Sequence, residues 1–187
     1  MHVAVIGFGL IGGSLAAALK RAWPQVKISG YARSQGTRKQ ALALGLADAM
    51  PGSLADTING ADVIFVSTPV ASFPAIFEEL AGCMQPHQTL TDGGSVKASV
   101  VEAARNAFGQ LPARFVPGHP IAGSENSGVM AADADLYQGR QVLLTPLQQT
   151  DLAATTQVMQ MWQAAGARVE LMDVDRHDQV LAATSHL

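Results

Sequence analysis

The feature that most constrains this chain is its opening. An unbroken apolar run at residues 3–6 passes directly into Gly7-Phe8-Gly9-Leu10-Ile11-Gly12, which opens an Ala- and Leu-rich helical pattern over residues 10–20. The three glycines answer three different steric demands. Gly7 permits a tight turn at the strand's end, Gly9 lets backbone approach a pyrophosphate, and Gly12 lets helix and strand pack closely. The turn leaves the first N–H groups of the helix, and the positive end of its dipole, facing a bound phosphate. A strand, this glycine spacing and then a helix predict a dinucleotide crevice built on Gly7, Gly9, Leu10, Ile11 and Gly12. The alternative is a glycine-rich turn that merely joins strand to helix.

Strand-like apolar runs and helical patterns alternate along the rest of the chain. The pattern predicts strands at residues 26–31, 63–67, 89–92, 115–116, 142–145 and 169–171, and helices over 37–46, 96–108 and 151–165. Ser53 and Asp56 have capping-box spacing, and Pro74 suits the first turn of a helix after the Thr68-Pro69 break. Unbroken apolar strands between helices predict an α/β fold of Rossmann type, a doubly wound and mostly parallel sheet covered on both faces. Residues 1–175 form the dinucleotide-binding domain in this reading. Residues 176–187 begin a helical connection to a C-terminal domain that is missing.

Composition narrows the classes of function. A net charge of −3 without any basic run argues against nucleic acid or an anionic membrane as partner. The apolar run at residues 3–6 is far too short to cross a bilayer and no basic segment precedes it, so the chain is read as cytoplasmic. Cys83 is the one cysteine, which excludes an internal disulfide, and it is read as a small buried hydrophobe. No metal is expected, because nothing pairs His2, His87 or His177 into a ligand set.

The end of the second strand bears on cofactor choice. A carboxylate about 20 residues beyond the glycine turn is the usual partner of an unphosphorylated ribose. That count lands on Ala32, between Tyr31 and the pair Arg33-Ser34. With no carboxylate to repel a 2′-phosphate, and with Arg33 and Ser34 able to pair with one, NADP is favoured over NAD. Arg38 and Lys39 add positive field one turn further on, or are ordinary solvated cations. Thr68 and Pro69, at a strand's carboxyl end, fall where a sheet crevice holds cofactor.

Two later segments are more specific. Asp92-Gly93-Gly94-Ser95-Val96-Lys97 follows one strand and His119-Pro120-Ile121-Ala122-Gly123-Ser124-Glu125 follows another. Together with Gly9-Leu10-Ile11-Gly12-Gly13-Ser14, and with Asp175, His177-Asp178 and Ser185-His186-Leu187, they make the chain resemble the prephenate/arogenate dehydrogenase family of tyrosine biosynthesis. The resemblance implies an N-terminal dinucleotide domain followed by a helical domain that dimerises, of which only the first is matched. It also implies a reaction: hydride leaves C4 of a cyclohexadienol for the nicotinamide, the C4 hydroxyl loses its proton, and carbon dioxide departs as the ring becomes aromatic.

By the same resemblance His119 is the base or hydrogen-bond acceptor for that hydroxyl, a task suited to imidazole. Ser95 bonds the same hydroxyl and orients the imidazole. Glu125 joins a polar network at the site's mouth, and Ser185 and His186 line the substrate side. The family's segment continues past Leu187 to a second histidine and to an arginine for the substrate carboxylate, so the 187 residues alone are expected to bind cofactor without turnover. Plainer readings stand beside these: Ser95 as N-cap of the helix over 96–108, Lys97 as first-turn surface, and Glu125 as a turn cap. Two other functions stand beside the first, an NADP-dependent reductase of the β-hydroxyacid dehydrogenase type and a non-catalytic dinucleotide sensor. The first leaves the His119–Glu125 string unexplained, and the second gives no reason for Ser95 and His119.

Overall fold

The computed structural model describes residues 1–184. In chain order the elements are β1 (His2–Ile6), α1 (Leu10–Ala22), β2 (Lys27–Tyr31), α2 (Gln35–Ala43), α3 (Leu54–Ile58) and β3 (Val63–Val66). There follow α4 (Phe73–Ala81), β4 (Thr89–Asp92), α5 (Lys97–Phe108), β5 (Phe115–Val116), β6 (Gly118–Pro120), β7 (Gln141–Leu144), α6 (Leu152–Ala164), β8 (Arg168–Leu171) and α7 (Val174–Thr184). Five strands form a parallel sheet in the order β2-β1-β3-β4-β5. The α/β architecture read from the sequence is therefore present. Its strand order reverses direction between β1 and β3, which opens a crevice at their carboxyl ends.

Alternation along the central strands divides the core in two. Val3, Val5, Val63 and Phe65 face a cluster with Leu15 and Leu19 of α1 and Val158, Met161 and Trp162 of α6. Ala4, Ile6, Ile64 and Val66 face the opposite cluster, with Phe77 of α4, Val100 and Ala104 of α5, and Phe115. Both faces of β1, β3 and β4 are buried, which is why β1 and β3 read as apolar runs, while β4 buries Thr89, Thr91 and Asp92 beside Leu90. Aromatic edge-to-face packing of Phe65 on Trp162, centroids 5.4 Å apart, ties α6 to the sheet.

The later strands depart from expectation. The runs near 142–145 and 169–171 do not extend the first sheet but form a second one, β6-β7-β8, with β6 antiparallel to β7 and β7 parallel to β8. The chain leaves β5 through Pro117 and re-enters pairing at Gly118, so one continuous stretch feeds both sheets. The last helix begins at Val174, two residues before the helical connection expected from 176, and packs on α5. Cys83 is half-buried instead of buried, and its thiol donates to the Glu79 carbonyl at 3.2 Å. Among the described residues no helix is long and apolar enough to cross a membrane.

Candidate active site

The crevice at the carboxyl ends of β1 and β3 is built from close backbone approaches. Gly7 sits at φ +100, where an L side chain is strained, and its N–H donates to the Tyr31 carbonyl at 2.9 Å. A Cβ on Gly12 would lie 2.2 Å from the Gly7 carbonyl oxygen and 2.5 Å from Ser67 Oγ, so helix α1 can seat against the turn only with glycine there. Gly9, by contrast, faces open space for 4 Å around its missing Cβ. Gly9 also caps α1 without any side-chain acceptor, which leaves the first-turn N–H groups of the helix to a ligand. Ser67 Oγ donates to the Gly7 carbonyl at 2.7 Å, locking the ends of β3 and β1 together. Beside it, Thr68 Oγ1 is buried without a hydrogen-bond partner among the described residues. A cradle open at Gly9 and an orphaned hydroxyl at Thr68 are what a phosphate-bearing dinucleotide would fill and satisfy.

The loop 129–139 braces this turn from behind. Tyr137 Oη donates to the Ile11 carbonyl at 2.7 Å, and Ser14 Oγ accepts from the Asp133 N–H at 2.9 Å. At the far corner Arg33 is exposed and has no ion-pair partner among the described residues. Ser34 is the N-cap of α2, its hydroxyl accepting from the Thr37 N–H at 3.3 Å. That bond leaves the hydroxyl proton available for a second partner.

A second group of residues gathers at the carboxyl end of β4. Asp92 and Lys97 are fully buried, and the Lys97 ammonium pairs with Asp92 Oδ2 while donating to the Gly118 carbonyl at 2.5 Å. Asp92 in turn accepts from the N–H groups of Gly94 at 2.8 Å and Gly118 at 3.1 Å. Lys97 is thus not first-turn surface. It pins the start of β6 to the end of β4, and this fixes His119, the next residue. Burial pulls Lys97 below the usual lysine pKa, although Asp92 acts in the opposite direction.

His119 is half-buried, and its Nδ1 lies 2.9 Å from Nε2 of His177 on α7. His177 is fully buried, and its Nδ1 lies 2.7 Å from Asp178 Oδ1. Asp178 also accepts from the N–H groups of Lys97 and Ala98, each at 2.9 Å. Burial, then the positive charge of Lys97, then His177 lower the His119 pKa to about 4, so its imidazole is neutral at physiological pH. Burial works to raise Asp178, but the Ala98 and Lys97 N–H donors and His177 outweigh it and hold the carboxylate below its ordinary pKa.

Ser95 is exposed in the loop between β4 and α5 and makes no hydrogen bond with His119 among the described residues. Nor does it cap α5: Val96 occupies the cap position and the Asp178 carboxylate supplies the acceptors. Glu125 is exposed in the 121–128 loop, where Ser124 and Asn126 make the local bonds. Ser185 and His186 lie outside the described residues. Of the three histidines read as structural, His2 is so, bonded to Ser29 and Gly60, and His87 is exposed. His177, read from the sequence only as belonging to no ligand set, is hydrogen-bonded to His119. The only sequence signals for this buried network were Asp92 and Lys97 facing one another across a Gly-Gly turn and the adjacent pair His177-Asp178.

Comparison with known proteins places this geometry. Residues 15–171 match the family described as prephenate dehydrogenase, nucleotide-binding domain. A cyclohexadienyl dehydrogenase of Zymomonas mobilis is 38% identical over 187 residues, covering 100% of this chain and 63% of the relative. The crystal structure of prephenate dehydrogenase from Aquifex aeolicus with hydroxyphenyl propionate and NAD+ is 36% identical at a TM-score of 0.91, covering 100% of this chain and 64% of that one. The Synechocystis arogenate dehydrogenase structure is 31% identical at a TM-score of 0.91, with 100% and 64% covered. The chain therefore spans somewhat under two thirds of the length of these relatives.

Proposed function

The chain belongs to the prephenate dehydrogenase family through its nucleotide-binding domain, and from that premise we propose that it serves the oxidative decarboxylation of prephenate or arogenate in tyrosine biosynthesis. The observation that carries the proposal is His119, held neutral at the sheet's carboxyl edge beside a crevice suited to a dinucleotide. Neutral imidazole is the form that can take up the proton of the C4 hydroxyl. The nicotinamide, when bound, supplies the hydride acceptor. Gly7, Gly9, Gly12, Leu10 and Ile11 hold the pyrophosphate side, and Thr68 and Pro69 border the crevice. Ser95, exposed and without a bond to His119, is free to meet the same hydroxyl. Glu125 lies in an exposed loop suited to the site's mouth.

NADP is the preferred cofactor in this reading, on the strength of the exposed Arg33 and of Ser34 at the corner after β2. Residues 1–175 are the dinucleotide domain. From 176 the chain starts the connection to a helical domain that makes a homodimer and holds the substrate carboxylate. Ser185 and His186 are assigned to the substrate side in this reading. The test is nicotinamide reduction by the enzyme carrying these residues, with prephenate and arogenate offered separately. Reduction matched one-for-one by released carbon dioxide supports the proposal, and bound cofactor left unreduced by either acid refutes it.

A further inference from the structure

The bonds that join Asp178, His177 and His119 admit only one ordering of protons while both rings are neutral. We propose that His177 and Asp178 are positioning residues that fix the tautomer of His119, leaving its Nε2 as the lone-pair acceptor. The inference rests on the proposed role of His119 as base and adds what makes it one. Asp178, held as a carboxylate, can only accept. It takes N–H groups from Lys97 at Oδ1 and Ala98 at Oδ2, the first two donors of α5, so an ionised side chain from α7 caps that helix. The third donor at Asp178 is His177, and its Nδ1, 2.7 Å from Oδ1, must therefore carry hydrogen.

A neutral ring protonated at Nδ1 presents a lone pair at Nε2. That atom lies 2.9 Å from His119 Nδ1, a distance that requires one hydrogen between the two nitrogens. The hydrogen then belongs to His119 Nδ1, and His119 Nε2 is left with the lone pair. His177 is fully buried, so water cannot compete for either of its nitrogens. The alternative ordering needs a charged His177 donating to His119. That charge would sit on a fully buried ring, and the His119 hydrogen would have to lie at Nε2. The consequence reaches beyond the pair, because α7 delivers both relay residues, the nearer of them 58 positions along the chain from His119.

Tautomers are read directly from long-range nitrogen–proton correlation spectra of the histidine rings, recorded on the resting protein near neutral pH. His119 and His177 should both show protonated Nδ1 and unprotonated Nε2. Asp178→Asn keeps an oxygen for the α5 N–H groups but removes the charge, and should let the Nε2–H tautomer of His119 become populated. His177→Gln, whose amide oxygen can accept from His119 Nδ1, should retain the parent tautomer, whereas His177→Leu should lose it. In the active enzyme Asp178→Asn and His177→Leu should lower kcat by roughly a hundredfold or more, as a misoriented histidine does elsewhere, with KM little changed. A His119 protonated at Nε2 in the parent protein, or a tautomer unmoved in both Asp178→Asn and His177→Leu, would overturn the proposal. The spectra need no turnover, so failure of the relay is distinguishable from failure of the proposed reaction.

Discussion

Replacing Lys97 by methionine should cost this fold more than any exposed substitution can. The side chains of Lys97 and Asp92 are both 0% exposed, and the ammonium holds two partners, Asp92 Oδ2 and the Gly118 carbonyl. Methionine keeps most of the buried volume, so cavity formation contributes little. What remains is a buried carboxylate with two N–H donors, Gly94 at 2.8 Å and Gly118 at 3.1 Å, and no countercharge. Removing one partner of a buried ion pair costs roughly 3–5 kcal/mol. A domain whose whole stability is about 5–15 kcal/mol would lose a large share of it. Urea unfolding at neutral pH, followed by far-ultraviolet circular dichroism, measures the loss. Adding Asp92→Asn to Lys97→Met removes the stranded charge and should restore part of the loss, on the order of 1–3 kcal/mol. The His119 pKa should rise in Lys97→Met, because a positive neighbour that lowers it is gone. A loss below about 1 kcal/mol that the second substitution does not change would refute the assignment of Lys97 as the pin between β4 and β6.

Two further predictions follow from the same geometry. Arg33→Ala should weaken NADP binding by about tenfold, roughly 1.4 kcal/mol, and leave NAD nearly unchanged, because the exposed guanidinium has no ion-pair partner to lose among the described residues; equal dissociation constants for the two cofactors in calorimetry of the parent would remove the basis for NADP preference. His119 sits at about 4 in the folded protein against 6.5 unfolded, so between these values the unfolded chain binds more protons. The contribution of neutral His119 is therefore fully present above about pH 6.5 and is lost as pH falls toward 4, and His119→Gln should show a shallower loss of urea midpoint across that window.

How much of this was legible in the sequence varies by element, for physical reasons. The glycine turn announced itself because Gly7 and Gly12 meet steric limits that no other residue satisfies, and β1 and β3 because both their faces are buried. Strand β6 did not, since Gly118-His119-Pro120 has no strand-forming residue; it pairs with β7 because Asp92 and Lys97 hold Gly118 in place. A lysine in the first turn of a helix is ordinarily exposed, and only the fold reveals the carboxylate that buries this one. The cap of α5 comes from Asp178, 81 residues away, so the local reading of Ser95 as cap had no means of anticipating it. His177 shows no ligand spacing, and its hydrogen-bond partner His119 is another histidine far off in sequence.

The account centres on His119 as a neutral base at the edge of a dinucleotide crevice, and the pH dependence of kcat/KM in the enzyme and in its His119→Asn variant tests it most directly. The parent should lose activity only as pH falls toward about 4, where the imidazole of the free enzyme takes up a proton. His119→Asn should turn over about 10²- to 10⁴-fold more slowly, the usual share of a positioned acid–base group, and should show no such limb. A variant that keeps both the parental rate and the acidic limb would contradict the account, because the proton would then be leaving the substrate for some other group.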